Sequence, residues 1–373
     1  WWARKPLASS RATNYAALIP AAKSIEEWSK TRQLIIDFSK WENSSNQSMI
    51  QKAREDILKA NGGKPPKVLD PFAGGGAIPL EALRLGCEVY ACDYNPVATL
   101  LLKCTLEYPQ RYGKPKQVRA DDWIGAEKTI NPLLEEVKKW GDWILNEAKR
   151  EIGRFYPEEP DSSIPVNYYW MRIITCQNPT CSAEIPLASN YWLAKKSNKK
   201  VSLYPHVENR EVKFKIVGNG YEPMPKDFYP EDGTISRAVV TCPVCGSVMD
   251  DNTTRLLFRT GKAKHKMIAV VLHSAGRSGK HYRIANDRDL SIFNNAAEYL
   301  LEKRQKLMSE WGLDPVPDEP IPSPCHDVDR PPMYGMETWG QLFNSRQQLS
   351  LIVFIDKVRA AYGQMIEYGY EEE

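Results

Sequence analysis

Between residues 67 and 93 the chain reads KVLDPFAGGGAIPLEALRLGCEVYACD, and few folds accept that order. An apolar run ends in Asp70. Gly74, Gly75 and Gly76 follow, a helix-forming stretch begins near Ala77, and a second apolar run ends in Asp93. Strand, glycine turn, helix, strand with connections this short is a βαβ unit, which makes the class α/β. The glycines let the backbone turn tightly and approach a ligand without a Cβ clash. The helix that follows presents unpaired N–H groups at its start.

The type of ligand follows from what the loop has and lacks. A dinucleotide fingerprint needs G-x-G-x-x-G, but here Gly74-Gly75-Gly76 is followed by Ala77-Ile78-Pro79, so the third glycine is absent. No G-x-x-x-x-G-K-[ST] occurs, which argues against a P-loop. An acid before the loop suits a cofactor with a cationic amino-acid end and no phosphate, and S-adenosylmethionine is such a cofactor. Asp70 is then expected near the methionine ammonium, with Gly74 and Gly76 lining the middle. Asp93, at the end of the second strand, suits the ribose hydroxyls. Pro71, Phe72, Gly75, Tyr94 and Asn95 complete the candidate pocket. The plainer reading is an ordinary glycine-rich βα turn.

At 373 residues two or three domains are expected, from about 150 residues per domain. The net charge of +3 is too small to name a partner, so charge must be read from where it sits. No run of 18 apolar residues occurs, so no membrane span is expected, and no signal peptide is visible. Residues 13–61 are helical by periodicity, with a capping box from Ser24 to Glu27. GGKPPK breaks the chain before the βαβ unit. NPLLEEVKKWGDWILNEAKREIGRFY is a periodic helix over 131–156. Short β-branched runs replace the α/β rhythm from about 160 to 285. Two more helices, DRDLSIFNNAAEYLLEKRQKLMSEWG and SRQQLSLIVFIDKVRAAYGQMIEYG, flank a proline-rich linker. The domains expected are a cofactor-binding core (1–158), a β-rich insert (159–285) and a helical segment returning to the core (286–373).

Cys87, Cys92 and Cys104 lie in apolar sequence and read as buried free thiols; Cys325 is a lone loop cysteine. The other four form two pairs, Cys176-x4-Cys181 and Cys242-x2-Cys245, which fit a reducing cytoplasm with one metal site better than a disulfide framework. In CPVCG the proline shapes a knuckle turn and Gly246 lets backbone N–H groups face thiolate sulfur. Four thiolates suit a structural Zn2+ with no open position; the alternative is four free cysteines. Positive charge gathers in WLAKKSNKKVSLYPH, RLLFRTGKAKHK and GRSGKHYR, beside Trp and Tyr. This is either a surface for a phosphate backbone or a solvated face.

DPFAGGG and DYNPVA together resemble motifs I and II of DNA amino-methyltransferases. WWARKPLASSRA resembles the N-terminal signature of adenine-specific DNA methylases that carry a zinc ribbon. The likeness continues, in the family's order, in WGDWILNEAKREIGRFYP, YYWMRIITCQNPTC, TCPVCG and YGMETWGQLFNSRQQLSL. The resemblance implies a Rossmann-like methyltransferase core with a zinc-ribbon insert and flanking helices. It implies methyl transfer from S-adenosylmethionine to the exocyclic amine of adenine, with cytosine N4 second, on a base flipped out of duplex DNA. The setting would be cytoplasmic restriction-modification or phage defence. Trp1, Trp2 and Arg4 to Pro6 would line the cofactor pocket or cover its mouth; alternatively the tryptophans pack under the sheet. QVRADDWIG is read as the end of a third strand, where Asp121 or Asp122 would meet the adenine amino group or simply form a solvated turn or helix cap. Residues 160–285 fall in the family's target-recognition slot.

The family's catalytic [DNS]-P-P-[YF] is missing: QNPTC, RPPMY and YNPVA each fail it. In the family that motif follows the region matching LFNSRQQL. The chain therefore reads as an incomplete enzyme, either a fragment or a protein whose catalytic motif comes from a second polypeptide. Two other expectations stand beside this one: an RNA methyltransferase, and a non-catalytic subunit that binds cofactor and DNA.

Overall fold

The computed structural model describes residues 5–119, 127–274, 276, 279–322 and 330–371. The fold is mixed α/β and divides into two compact units, Trp1–Gly141 and Asp142–Glu373.

The first unit opens with three helices, α1 (Leu7–Leu18), α2 (Ile25–Phe38) and α3 (Gln47–Ala60). Ser24 caps α2 by accepting the Glu27 N–H at 3.1 Å. Glu27 reaches back one residue beyond a standard capping box, accepting the Lys23 N–H at 2.7 Å. Next come β1 (Lys67–Asp70), α4 (Ala77–Arg84) and β2 (Glu88–Ala91). The two strands pair parallel, from Lys67 opposite Glu88 to Asp70 opposite Ala91, as a helical crossover requires. Their pleat turns Val68 and Val89 onto a core of Tyr15, Phe38, Ile57, Ala82 and Leu85. Leu69 and Tyr90 face outward and are exposed.

Arg11 of α1 and Glu81 of α4 are fully buried in this unit, 3.8 Å apart. Arg11 also donates to the Phe38 carbonyl at 2.8 Å, and Glu81 accepts from Arg84 at 2.7 Å. The pair fastens the first helix to the one that carries the glycine loop.

After β2 the chain forms α5 (Pro96–Leu102), a π-helical turn (Lys103–Glu107) and α6 (Tyr108–Tyr112). The third strand expected at QVR exists as β3 (Lys116–Arg119). It pairs antiparallel with β4 (Glu127–Ile130) in a sheet of its own, not with β1 and β2. The parallel sheet thus has two strands among the described residues. The helix α7 (Pro132–Ile152) spans the division between the units.

The second unit is β-rich, as the sequence from 160 onward indicates. Its strands are β5 (Ile164–Thr175), β6 (Glu184–Leu187), β7 (Trp192–Lys196), β8 (Lys199–Glu208), β9 (Glu211–Gly218), β10 (Ile235–Ser236), β11 (Val239–Thr241) and β12 (Val248–Met249). Then follow α8 (Asp251–Arg259), β13 (Lys264–His273), β14 (Lys280–Ile284), α9 (Asp287–Trp311), α10 (Arg330–Met333) and α11 (Ser345–Glu367). One antiparallel sheet runs β14-β13-β5-β6 and another β7-β8-β9. They share a core in which Met171, Ile173, Ile268 and Val271 meet Val201, Leu203 and Ile216. The other face of β13 packs Met267, Val270 and Leu272 against Trp170 and Phe293. Covered on both faces, β13 reads as the unbroken apolar run MIAVVL instead of alternating. A helical core joins Ala148 and Ile152 of α7 to Leu300 and Leu307 of α9 and to Leu349 and Val353 of α11. Asn286 and Asn344 start α9 and α11 with complete capping boxes. Among the described residues, no helix is long and apolar enough to cross a membrane.

Candidate functional site

Because β1 and β2 are parallel and in register, Asp70 and Asp93 emerge at the same end of the sheet. The backbone between them is tightly tied. The Cys92 N–H donates to the Asp70 carbonyl and the Ala73 N–H to the Cys92 carbonyl, both at 2.9 Å; the Gly76 N–H closes the turn on the Ala73 carbonyl at 2.8 Å. Gly74 (φ +50°) and Gly76 (φ +78°) hold left-handed conformations that favour glycine. A Cβ on Gly76 would sit 3.0 Å from Leu102 Cδ2, so this glycine also admits the helix packed behind the loop.

The Asp93 carboxylate organises the loop. Its Oδ2 accepts the Gly74 N–H and its Oδ1 the Asn95 N–H, each at 2.8 Å. The Asn95 contact, then that from Gly74, holds its carboxyl below the usual carboxylate range. With the Tyr94 N–H also facing it, the carboxylate still has acceptor capacity left for a ligand. Asn95 in turn caps α5 by accepting the Val97 N–H at 2.9 Å. Asp70 makes a longer contact, with the Phe72 N–H at 3.3 Å.

Around these groups lies an open pocket of about 390 Å3, lined by Lys5, Asp70, Phe72, Ala73, Gly74, Gly75, Ala77, Ile78, Asp93 and Asn95. That volume lies in the range of small-molecule sites. Of the residues expected from sequence, Asp70, Phe72, Gly74, Gly75, Asp93 and Asn95 converge on it. Pro71, Gly76 and Tyr94 do not line it; Tyr94 is 99% exposed, and Gly76 serves packing. Trp1, Trp2, Arg4, Asp121 and Asp122 lie outside the described residues. Lys5, from the same N-terminal block as the tryptophans, is at the pocket wall. Ala73, Ala77 and Ile78 were not singled out by sequence; their signal is adjacency to the glycines.

A second pocket of about 510 Å3 shares Asp93 and is lined by Val89, Ala91, Cys92, Leu102 and Leu106 beside the π-helical turn. Cys92 is exposed there, as is Cys104, contrary to the expectation of buried thiols; only Cys87 of the three is buried. Cys92 follows the end of β2 and Cys104 sits in the π-helical turn, where membership of an apolar run does not decide burial.

The second unit brings its four paired cysteines together. Cys176 and Cys181 lie in the connection from β5 to β6, and Cys242 and Cys245 in that from β11 to β12. All four Sγ atoms lie within 4.8 Å of one another, and the group can hold a metal ion. Cys176 and Cys245 sulfurs are 3.7 Å apart and those of Cys181 and Cys242 3.9 Å. Four thiolates about 2.3 Å from one tetrahedral ion are spaced by about 3.8 Å. Gly246 takes φ +73°, which folds the knuckle so that the Val244 and Cys245 N–H groups face the Cys242 sulfur. Burial pushes the Cys176 thiol up to about 12 and Cys242 in the same direction, whereas the Ser247 hydroxyl and N–H pull Cys245 down to about 6. Cys176, Cys242 and their apolar neighbours Ile174, Ile185, Val240, Leu257 and Phe258 form one cluster, so the sulfurs are part of a core.

A protein-family profile described as "Protein of unknown function (DUF1156)" matches residues 1–44. No curated protein and no solved structure matches the chain.

Proposed function

We propose that this chain is the cofactor-holding and target-binding part of an S-adenosylmethionine-dependent DNA methyltransferase acting on the exocyclic amine of adenine. The observation that carries the reading is the pair Asp70 and Asp93 at adjacent strand ends, flanking a left-handed glycine loop over a pocket of about 390 Å3. In open α/β sheets ligands bind outside the carboxyl ends of the strands. On this reading β1–α4–β2 is the first crossover of a Rossmann-like core.

The residues present fit the cofactor. The Asp70 carboxylate offers a partner for an ammonium and Lys5 one for a carboxylate, which together match a zwitterionic amino-acid end. Asp93 has lone pairs left for ribose hydroxyls, and its hydrogen bonds to Gly74 and Asn95 fix its orientation beforehand. When bound, the cofactor supplies an electrophilic methyl group on a sulfonium. The chain's own contribution is to hold that group in place and to keep the loop in one shape. The four-cysteine centre is assigned a structural Zn2+: four sulfurs close the coordination sphere and leave no position for a substrate. Restriction-modification or phage defence is the setting that the family resemblance suggests.

Methyl transfer also needs an acceptor that aims the amine lone pair at the methyl. The [DNS]-P-P-[YF] word that does so in the resembled family does not occur within these 373 residues, so on this reading the acceptor comes from sequence outside them or, in a second reading, from a second polypeptide that joins a cofactor- and DNA-binding subunit. Ultraviolet crosslinking with methyl-labelled S-adenosylmethionine tests the first part. Labelling competed by S-adenosylhomocysteine but not by NAD or ATP is expected, and absence of labelling overturns it. Methyl incorporation into duplex DNA by this chain alone would refute the subunit reading.

A further inference from the structure

The three basic runs of the second unit meet different fates. In the run after the second knuckle, Lys264 pairs with Glu184 at 3.3 Å and Lys266 with Glu211 at 3.5 Å. The other two runs converge. Strands β7 and β8 are joined through Ser197 and Asn198, and their register sets Lys195 opposite Lys200 and Lys196 opposite Lys199. Lys199 then reaches over the Tyr282 ring, 5.6 Å from its centroid, and donates to the Lys280 carbonyl, which brings the start of β14 beside the hairpin tip. Lys195 is balanced by Glu231 at 2.7 Å. Lys196, Lys200 and Lys280 are exposed and, among the described residues, have no carboxylate partner.

Like charges directly opposite across a strand pair destabilise it. Successive pairs project to opposite faces, so the Lys196–Lys199 pair, with Lys280 folded in from another strand, forms a site on one face of the tip whose repulsion a polyanion relieves, while Lys195 and Lys200 lie on the other face. We propose that this tip is where the phosphate backbone of duplex DNA docks. The choice of DNA among polyanions rests on the methyltransferase reading; the location rests on the charge pattern alone. Contacts of this kind add affinity and salt dependence without reading sequence.

The test is fluorescence anisotropy of the full chain with a labelled DNA duplex, titrated between about 50 and 200 mM salt. Replacing Lys196→Gln and Lys280→Gln together removes two phosphate contacts and leaves the structural Lys199 in place. The slope of log affinity against log salt should then flatten by about 2, so that the ratio of affinities at the two salt concentrations falls about 12-fold. The paired lysines give the control: Lys264→Gln with Lys266→Gln should leave the slope unchanged. An unaltered slope in the Lys196→Gln, Lys280→Gln variant overturns the proposal. So does tighter binding of the unaltered chain to RNA of matched length, or binding to neither nucleic acid. Calorimetry with S-adenosylmethionine on the same preparation separates the two readings. Cofactor binding without DNA binding overturns the docking site and leaves the cofactor reading standing, whereas loss of both overturns both.

Discussion

Removal of the ion proposed for the four-cysteine centre has a consequence that can be worked from the sulfur positions. The two separations of 3.7 and 3.9 Å, in a group whose sulfurs all lie within 4.8 Å of one another, match the edge of about 3.8 Å that a tetrahedron with zinc–thiolate bonds of about 2.3 Å requires. The purified full chain should therefore contain about one zinc and give a single shell of four sulfurs at about 2.3 Å by X-ray absorption. Structural zinc in small sites contributes about 10–16 kcal/mol at neutral pH, as much as the whole stability of a typical domain. With the ion gone, Cys176 and Cys242 remain buried among Ile174, Ile185, Val240 and Phe258 as protonated thiols, and nothing ties the two strand connections together. Chelation should expose β5, β6, β11 and β12 to rapid hydrogen exchange, and Cys242→Ser should do the same without a chelator. A folded metal-free protein whose exchange is unaffected by chelator would refute the reasoning, as would nitrogen or oxygen in the first shell.

The buried Arg11–Glu81 pair should be coupled: Glu81→Leu alone leaves a buried guanidinium without its carboxylate and should cost about 3–5 kcal/mol in urea unfolding, while adding Arg11→Met should recover part of that cost, the remainder being the bonds to the Phe38 carbonyl and Arg84. A cost below about 1 kcal/mol for the single change would contradict it. Gly74→Ala meets no atom within 4 Å and should cost only the left-handed backbone penalty, about 1–2 kcal/mol, whereas Gly76→Val also presses on Leu102 and should lower the melting temperature further. Equal effects would argue against the packing role of Gly76. Burial alone would raise Asp289, Glu151 and Asp356, but Arg283 holds the first and Lys303 the other two below the ordinary carboxylate range. A depressed folded value gives stability that is complete above the unfolded value and lost as pH falls through the folded one. Separate from the loss that protonation of the metal's thiolates causes at higher pH, the contribution of these three carboxylates to the second unit's stability should therefore be flat from neutral pH to about 5 and weaken below about 4. Arg283→Met should shrink the Asp289 part of that loss; a decline already under way at pH 6 would point to other groups.

The glycine loop was legible because its constraints are local. A strand end, two left-handed residues and a helix start leave their residue types in order at fixed spacing, and Asp70, Gly74 and Asp93 meet where that spacing implies. The cysteine pairs were legible for the same reason: each pair lies in one strand connection, and only their meeting is long-range. What periodicity could not give is partner choice. QVR forms a strand, yet nothing within it says whether it joins β1 and β2 or pairs with residues 127–130. The Arg11–Glu81 contact joins residues 70 positions apart, and an arginine in an otherwise mixed helix carries no mark of its burial. Cys92 is exposed just past the end of β2 and Cys104 in a π-helical turn, and an apolar run does not mark where a strand ends or a turn faces. The basic runs looked alike in sequence. Cross-strand register and the positions of Glu184, Glu211 and Glu231 distinguish them.

The central claim is that the loop between Asp70 and Asp93 holds S-adenosylmethionine, and titration calorimetry of the full chain tests it most directly. The account requires one site for S-adenosylmethionine, similar affinity for S-adenosylhomocysteine, and about tenfold or greater weakening by Asp70→Asn for the former. S-adenosylhomocysteine keeps the same amino-acid end, so it should weaken alongside. No heat with either compound, from protein whose melting shows it folded, would contradict the account; so would binding that Asp70→Asn and Asp93→Asn leave unchanged.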